Sequence, residues 1–195
     1  MTEEALRQTF ARQQYAVMRS VIADPLLGFL WRYVRTRAAN DAFAPGDHDV
    51  PGAACAYADT VMEHVLERLR PAVEQLTGLR LYPTYSYVRV YRSGDALEPH
   101  TDRESCEISV SVNLGQDPPA SWPLWIRGAA GPDAIHLHPG DALLYRGIKR
   151  EHWRERYDGV MLGQVFLHYV DQAGPHAAWR FDKRDGLDLS TPLPI

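Results

Sequence analysis

Position 78 divides this chain into two textures. After Gly78, short apolar runs at 79–91, 106–114, 124–126, 135–137, 142–145 and 162–170 are separated by clusters of Gly, Pro and Asp. Runs this short and this regularly interrupted predict strands joined by tight connections, and so an antiparallel sandwich or barrel.

Upstream the periodicity is that of helices. Residues 2–12 open on a capping-box-like Thr2 with two early acids and place Leu6 and Phe10 at helical spacing, which predicts a short helix. Residues 14–22 are richer in β-branched side chains and predict a strand. Asp24-Pro25 then supplies a cap and a first-turn proline for a helix running to about 39. Residues 40–52 hold Pro45, Gly46, Asp47, Pro51 and Gly52 and predict a loop placed to lie over a site. From 53 to 77, Val61, Val65, Leu66, Leu69, Val73 and Leu76 recur at three and four, an amphipathic helix ended by Gly78 and kinked or split at Pro71. The class predicted is α+β. A mostly helical support region at 1–78 precedes a β-barrel core at 79–170, and an extension at 171–195 ends in an irregular tail packed down by its leucines.

At 195 residues the chain is most economically one domain. Its 21 Lys and Arg against 25 Asp and Glu leave a net charge of -4, which offers no general attraction to phosphate backbones or anionic lipid. No nucleic-acid or membrane partner is expected. The two cysteines, Cys55 and Cys106, do not make a disulfide framework and are expected reduced. The acidic N-terminus lacks the apolar segment of a secretory leader, and no apolar run reaches 18 residues, so a cytoplasmic location is expected.

The chemistry concentrates in two matching stretches. The first runs from Tyr91 through Gly94 and Pro99 to His100 and Asp102. If extended, it points His100 and Asp102 to the same side, two ligands awaiting a third. The second is a Pro139-Gly140-Asp141 turn entering the strand Ala142-Leu143-Leu144-Tyr145, followed by His152 as that third ligand.

Together, Tyr91, Gly94, Leu97, Pro99, His100-x-Asp102, Gly140-Asp141-Ala142-Leu143-Leu144-Tyr145 and His152 resemble the iron(II) and 2-oxoglutarate-dependent oxygenases, especially the prolyl-4-hydroxylase-like branch, over residues 84–169. The resemblance implies a double-stranded β-helix, a jelly-roll or cupin-like barrel with N-terminal helices on one sheet. It implies His100, Asp102 and His152 as ligands to Fe(II), with 2-oxoglutarate and O2 as co-substrates. Two imidazoles and a carboxylate on one face of iron leave positions for 2-oxoglutarate and dioxygen. In that family, decarboxylation to succinate and carbon dioxide generates the oxidant that hydroxylates the substrate. Related halogenases place a small residue where this chain has Asp102, which argues against halogenation.

One family feature is missing. The branch usually grips the far carboxylate of 2-oxoglutarate with a Lys or Arg about ten positions after the distal His, where this chain has Leu162, and no Lys or Arg occurs from 158 to 179. Strand parity offers Arg154, on the same face as His152, together with Tyr91, which stands where the branch commonly has a co-substrate tyrosine. Arg89 is the alternative, sharing a face with Tyr85, Tyr87 and Tyr91. Asn113, Gln164 and His168 are further candidate pocket residues, with a hydrogen-bonded core role the competing reading for His168. His136 and His138, before the Pro139-Gly140 turn, read as surface residues.

Two other functions fit parts of the pattern. A cupin-type metal enzyme would use Glu107 as a ligand and would ordinarily have His where Asp102 stands. A barrel without catalysis, binding a ligand or partner, would account for the missing basic residue. The substrate expected for an oxygenase is an amino acid, a peptidyl residue or a natural-product intermediate, contacted through 40–52 and 116–121.

Overall fold

The computed structural model describes residues 2–117, 122–187 and 189. The two textures separate in space as three helices and two antiparallel sheets. Helix α1 (Glu3–Gln13) starts where Thr2 Oγ1 accepts from Ala5 N and ends at Gln14, a left-handed residue that turns the chain into β1 (Tyr15–Met18). Helix α2 (Leu26–Ala39) starts one residue later than expected, with Pro25 rather than Asp24 at the cap position, and Asp24 reaches in from one residue before it to accept from Gly28 N at 3.2 Å.

The helix predicted from 53 begins later. Residues 54–57 are instead β2 (Ala54–Tyr57), because pairing with β3 (Leu81–Arg92) satisfies their backbone, and Asp59 then caps α3 (Thr60–Thr77) by accepting from Val61 N and Met62 N. Pro71 does not split α3. It lies on the exposed face, where a missing N–H can be absorbed by solvent-side curvature. Gly78 closes the helix at φ 72°.

Beyond it come β4 (Leu97–His100), β5 (Ile108–Gln116), β6 (Leu124–Gly128), β7 (Gly131–Ile135), β8 (Ala142–Tyr145), β9 (His152–Arg154) and β10 (Met161–Asp171). Three of the predicted runs shift. Residues 104–106 form a 3-10 turn before β5, the strand expected at 135–137 ends at Ile135 because it closes a hairpin with β6, and β1 is only four residues long. The larger sheet has the order β1-β8-β5-β10-β3-β2 and the smaller β4-β9-β6-β7.

Alternation along the central strands sorts side chains between helices and interior. Val88, Val90, Val110, Val112, Val165 and Leu167 join Leu30, Val34, Leu66 and Val73 of the helices in one buried core, which places the helices on the larger sheet. The opposite parity turns Tyr87, Arg89, Phe166 and His168 toward the cavity described below. The last described leucines lie beyond a 3-10 segment at Ala177–Lys183, and Leu187 packs against the main core; the rest of the expected tail is outside the described residues. Among the described residues no helix is long and apolar enough to cross a membrane.

Candidate metal centre

His100 ends β4 and His152 begins β9, and the antiparallel register sets them directly opposite one another, with ring centroids 4.3 Å apart. Asp102 is just past the end of β4, in irregular chain, held by a hydrogen bond from its backbone N–H to Gly147 O at 3.0 Å. Its Oδ1 lies 3.8 Å from His100 Nε2 and 3.5 Å from His152 Nε2. The pair is therefore not on one regular strand, yet the three side chains converge.

Their surroundings decide which atoms are free. His100 Nδ1 lies 2.8 Å from Glu98 O, and His152 Nδ1 lies 2.9 Å from Arg150 O. A carbonyl accepts only, so each ring carries its proton on Nδ1 and turns a bare Nε2 toward Asp102. This is the outer-shell arrangement that orients imidazoles for a metal. Facial ligands of an octahedral ion at about 2.1 Å stand roughly 3 Å apart, so each imidazole needs to approach the Asp102 oxygen by less than an ångström to meet that spacing. The donor chemistry fits iron(II). Burial, followed by the opposing pull of Asp102, leaves the His152 pKa below its ordinary 6.5, which favours the neutral ligand form.

A cavity of about 220 Å³ opens at this centre. Both sheets line it: Tyr85, Tyr87 and Arg89 from β3, Phe166 and His168 from β10 and Tyr145 from β8 face Leu97, His100 and His152 of the smaller sheet. Loop residues Asp47, His48 and Asp49 form one wall. The predicted loop at 40–52 thus reaches the site, whereas residues 118–121 of the other predicted contact segment lie outside the described residues. Tyr145 is a site residue that sequence reasoning passed over as an apolar strand end. Its hydroxyl is 3.4 Å from His152 Nε2, and only its parity with Leu143 could have signalled an inward direction.

The two candidate arginines have different surroundings. Arg89 lines the cavity and donates to the Asp47 carboxylate, which also accepts from the Tyr87 hydroxyl. Burial alone would raise the Asp47 pKa, but the bonds from Tyr87 and Arg89 outweigh it and hold the carboxyl below its ordinary range. Arg154 lies behind the cavity lining, 3% exposed, donating to Trp122 O at 2.7 Å and to Gln164 Oε1 at 2.9 Å while Trp122 stacks on its guanidinium. Among the described residues no carboxylate lies within ion-pair distance of it. Burial pushes its pKa down to about 10, still well above neutrality.

Tyr91 is fully buried between these two cations, its hydroxyl 3.4 Å from Arg89 and its ring 5.8 Å from the Arg154 guanidinium. Gln164 bridges Arg154 to the Ser111 hydroxyl. Asn113 does not line the cavity; it bonds Leu137 O and accepts from Gly115 N at 2.9 Å, building the end of β5. His168 both lines the cavity and is hydrogen-bonded, its Nδ1 2.9 Å from Ser109 Oγ. His136 and His138 are exposed, as expected. Glu107, the ligand a cupin would need, is turned elsewhere, accepting from Asp171 N at 3.0 Å and lying 3.5 Å from Arg146.

No family model matches the sequence, and no curated protein matches it. Solved structures do match. A prolyl-4-hydroxylase from Pseudomonas putida superposes with a TM-score of 0.71 at 16% identity, over 87% of this chain and 99% of its own. The non-heme alpha ketoglutarate dependent epimerase SnoN from nogalamycin biosynthesis gives 0.76 at 14%, over 98% and 93%. EctD from S. alaskensis with 2-oxoglutarate and 5-hydroxyectoine gives 0.72 at 16%, over 97% and 87%. Identities this low with coverage this complete establish that the chain shares the fold of these proteins.

Proposed function

We propose that this protein is an iron(II)- and 2-oxoglutarate-dependent oxygenase built on a double-stranded β-helix, hydroxylating a small molecule or a peptidyl residue. One observation carries the reading: His100, Asp102 and His152 converge with both Nε2 lone pairs freed by carbonyl partners on Nδ1. The shared fold supports it, and so does the commitment of Glu107 elsewhere, which removes the cupin ligand set. Bound iron with 2-oxoglutarate supplies oxidative decarboxylation to succinate and carbon dioxide coupled to removal of a substrate hydrogen.

The chain's own residues account for the rest. His100, His152 and Asp102 would hold the ion where they converge at the cavity. Arg154, a buried cation with no carboxylate partner among the described residues, takes the role of the absent basic residue on β10 by charge-pairing the far carboxylate of 2-oxoglutarate, with Tyr91 beside it and Gln164 fixing its orientation. Arg89 is already neutralised by Asp47 and serves the loop wall.

Anaerobic addition of iron(II) and 2-oxoglutarate tests this directly. A weak visible metal-to-ligand charge-transfer band is expected for the wild type and not for His100→Ala or Asp102→Ala. Its absence from folded wild type would remove the proposal.

A further inference from the structure

Asp102 belongs to two groups of ligand-capable side chains. Besides the triad, one of its oxygens lies with Cys106 Sγ and a ring nitrogen of His168 in a set whose members are all within 4.8 Å of one another. Nothing in the oxygenase reading uses Cys106 or requires His168 as a ligand. Both are buried, at 2% and 5% exposure, so neither is a solvent-facing residue brought close by chance mobility.

The two oxygens of Asp102 have different neighbours. Oδ1 faces the triad imidazoles, while Oδ2 accepts from Ser109 Oγ at 3.0 Å. That same hydroxyl is 2.9 Å from His168 Nδ1, so Ser109 ties His168 to the far side of the carboxylate. The Tyr85 hydroxyl lies 3.1 Å from Cys106 Sγ and is placed to donate to a thiolate. A buried thiol beside the Tyr85 hydroxyl, with an imidazole and a carboxylate oxygen that share the Ser109 hydroxyl, makes a donor set that suits a borderline-soft, tetrahedral ion better than iron(II).

We propose that Asp102, Cys106 and His168 form a second cation position that takes zinc or cobalt(II), adjacent to the triad and sharing its carboxylate. Binding forms a metal–sulfur bond and breaks the Cys106 S–H bond, releasing one proton to solvent with no change of oxidation state. The thiol without metal is a weak acid, its pKa raised to about 12 by burial and by Asp102, and the ion itself drives the deprotonation. Because Asp102 is shared, an ion there draws the carboxylate away from the triad, so on the oxygenase reading this position is inhibitory.

Cobalt(II) titration of the metal-free full-length protein under reducing conditions provides the test. A near-ultraviolet thiolate-to-cobalt charge-transfer band is expected in wild type and in Cys55→Ser, the only other cysteine being Cys55. It is expected to be lost in Cys106→Ser and in His168→Phe, and retained in His152→Ala, which breaks the triad alone. X-ray absorption of the zinc-loaded wild type gives a second readout that needs no variant, with one sulfur scatterer expected at about 2.3 Å. A shell of nitrogen and oxygen only, with no thiolate band, would overturn the proposal. The oxygenase reading is judged separately, because Cys106→Ser keeps all three triad residues and its iron(II) and 2-oxoglutarate band reports on them alone.

Discussion

Replacing Arg154 with methionine separates what the residue costs the fold from what it contributes to co-substrate binding. Burial lowers its pKa from the ordinary guanidinium value to about 10, and at 1.36 kcal/mol per unit that is a penalty of about 3 kcal/mol for keeping the guanidinium charged. The folded-state pKa of this base is depressed, so the cost is fully present below pH 10 and lapses only as the pH rises beyond it. At pH 7 it is undiminished. Methionine of similar length removes that cost but deprives Trp122 O and Gln164 Oε1 of their donors, at roughly 1 to 3 kcal/mol each. The opposing effects leave Arg154→Met within about 3 kcal/mol of wild type in urea unfolding without ligand. Its 2-oxoglutarate affinity should nevertheless fall at least about thirtyfold, since losing one partner of a buried charge pair costs on the order of 2 to 5 kcal/mol. The assay is thermal unfolding with manganese(II) in place of iron, with and without 2-oxoglutarate, where the variant should lose the co-substrate-dependent rise in Tm. A variant that is much less stable without ligand yet keeps the full rise would refute the reasoning and make Arg154 a packing residue.

Three further outcomes follow from the same geometry. A Cβ at Gly147 would clash with Asp102 Oδ2 and Cys106 O, so Gly147→Ala should weaken manganese(II) binding about tenfold or more by calorimetry, and unchanged affinity would show that Asp102 is not held by this contact. Burial lowers the His168 pKa to about 4, so below its ordinary 6.5 the unfolded chain takes up a proton the folded protein refuses; stability should fall by about 3 kcal/mol more between pH 7 and pH 4 in metal-free wild type than in His168→Phe, and parallel urea-unfolding profiles would contradict this. Asp47→Ala removes the acceptor of Tyr87, Arg89 and the Asp49 and Val50 amides, so it should cost about 2 kcal/mol and speed proteolysis within 40–52, and an unchanged cleavage rate would sink the idea that this loop is pinned.

The meeting of the two histidines was legible in sequence because it rests on short-range rules: His100 after a Pro-fixed turn and His152 at the head of a strand need only one antiparallel register, and their direct pairing across β4 and β9 supplies it. Strand parity did not place Asp102, which lies in irregular chain past β4 and is held by Gly147 O. The helix on the C-terminal side of Asp59 was legible for the same reason, since its apolar period and its glycine cap are local. What precedes Asp59 was not. Residues 54–57 are strand only because the edge of β3 offers them partners thirty or more positions away, and Ala-Cys-Ala-Tyr has no local preference strong enough to announce it.

The choice between the two arginines marks where sequence reasoning had to stop. Arg89 and Arg154 both obey inward parity, and both are long enough to reach a carboxylate. What separates them is counter-charge, and that depends on a loop: Asp47 comes from forty-two positions before Arg89 and neutralises it, whereas the neighbours of Arg154 are a backbone carbonyl, an amide and an aromatic face. A buried guanidinium held only by neutral acceptors is a costly arrangement for a fold that has carboxylates to spare, with 25 acidic side chains against 21 basic ones. Such a cost is ordinarily removed over time by an apolar substitution unless an anion arrives to offset it. On the proposed function, the charge of Arg154, which no described carboxylate neutralises, would be what draws a dicarboxylate co-substrate toward β9 and β10.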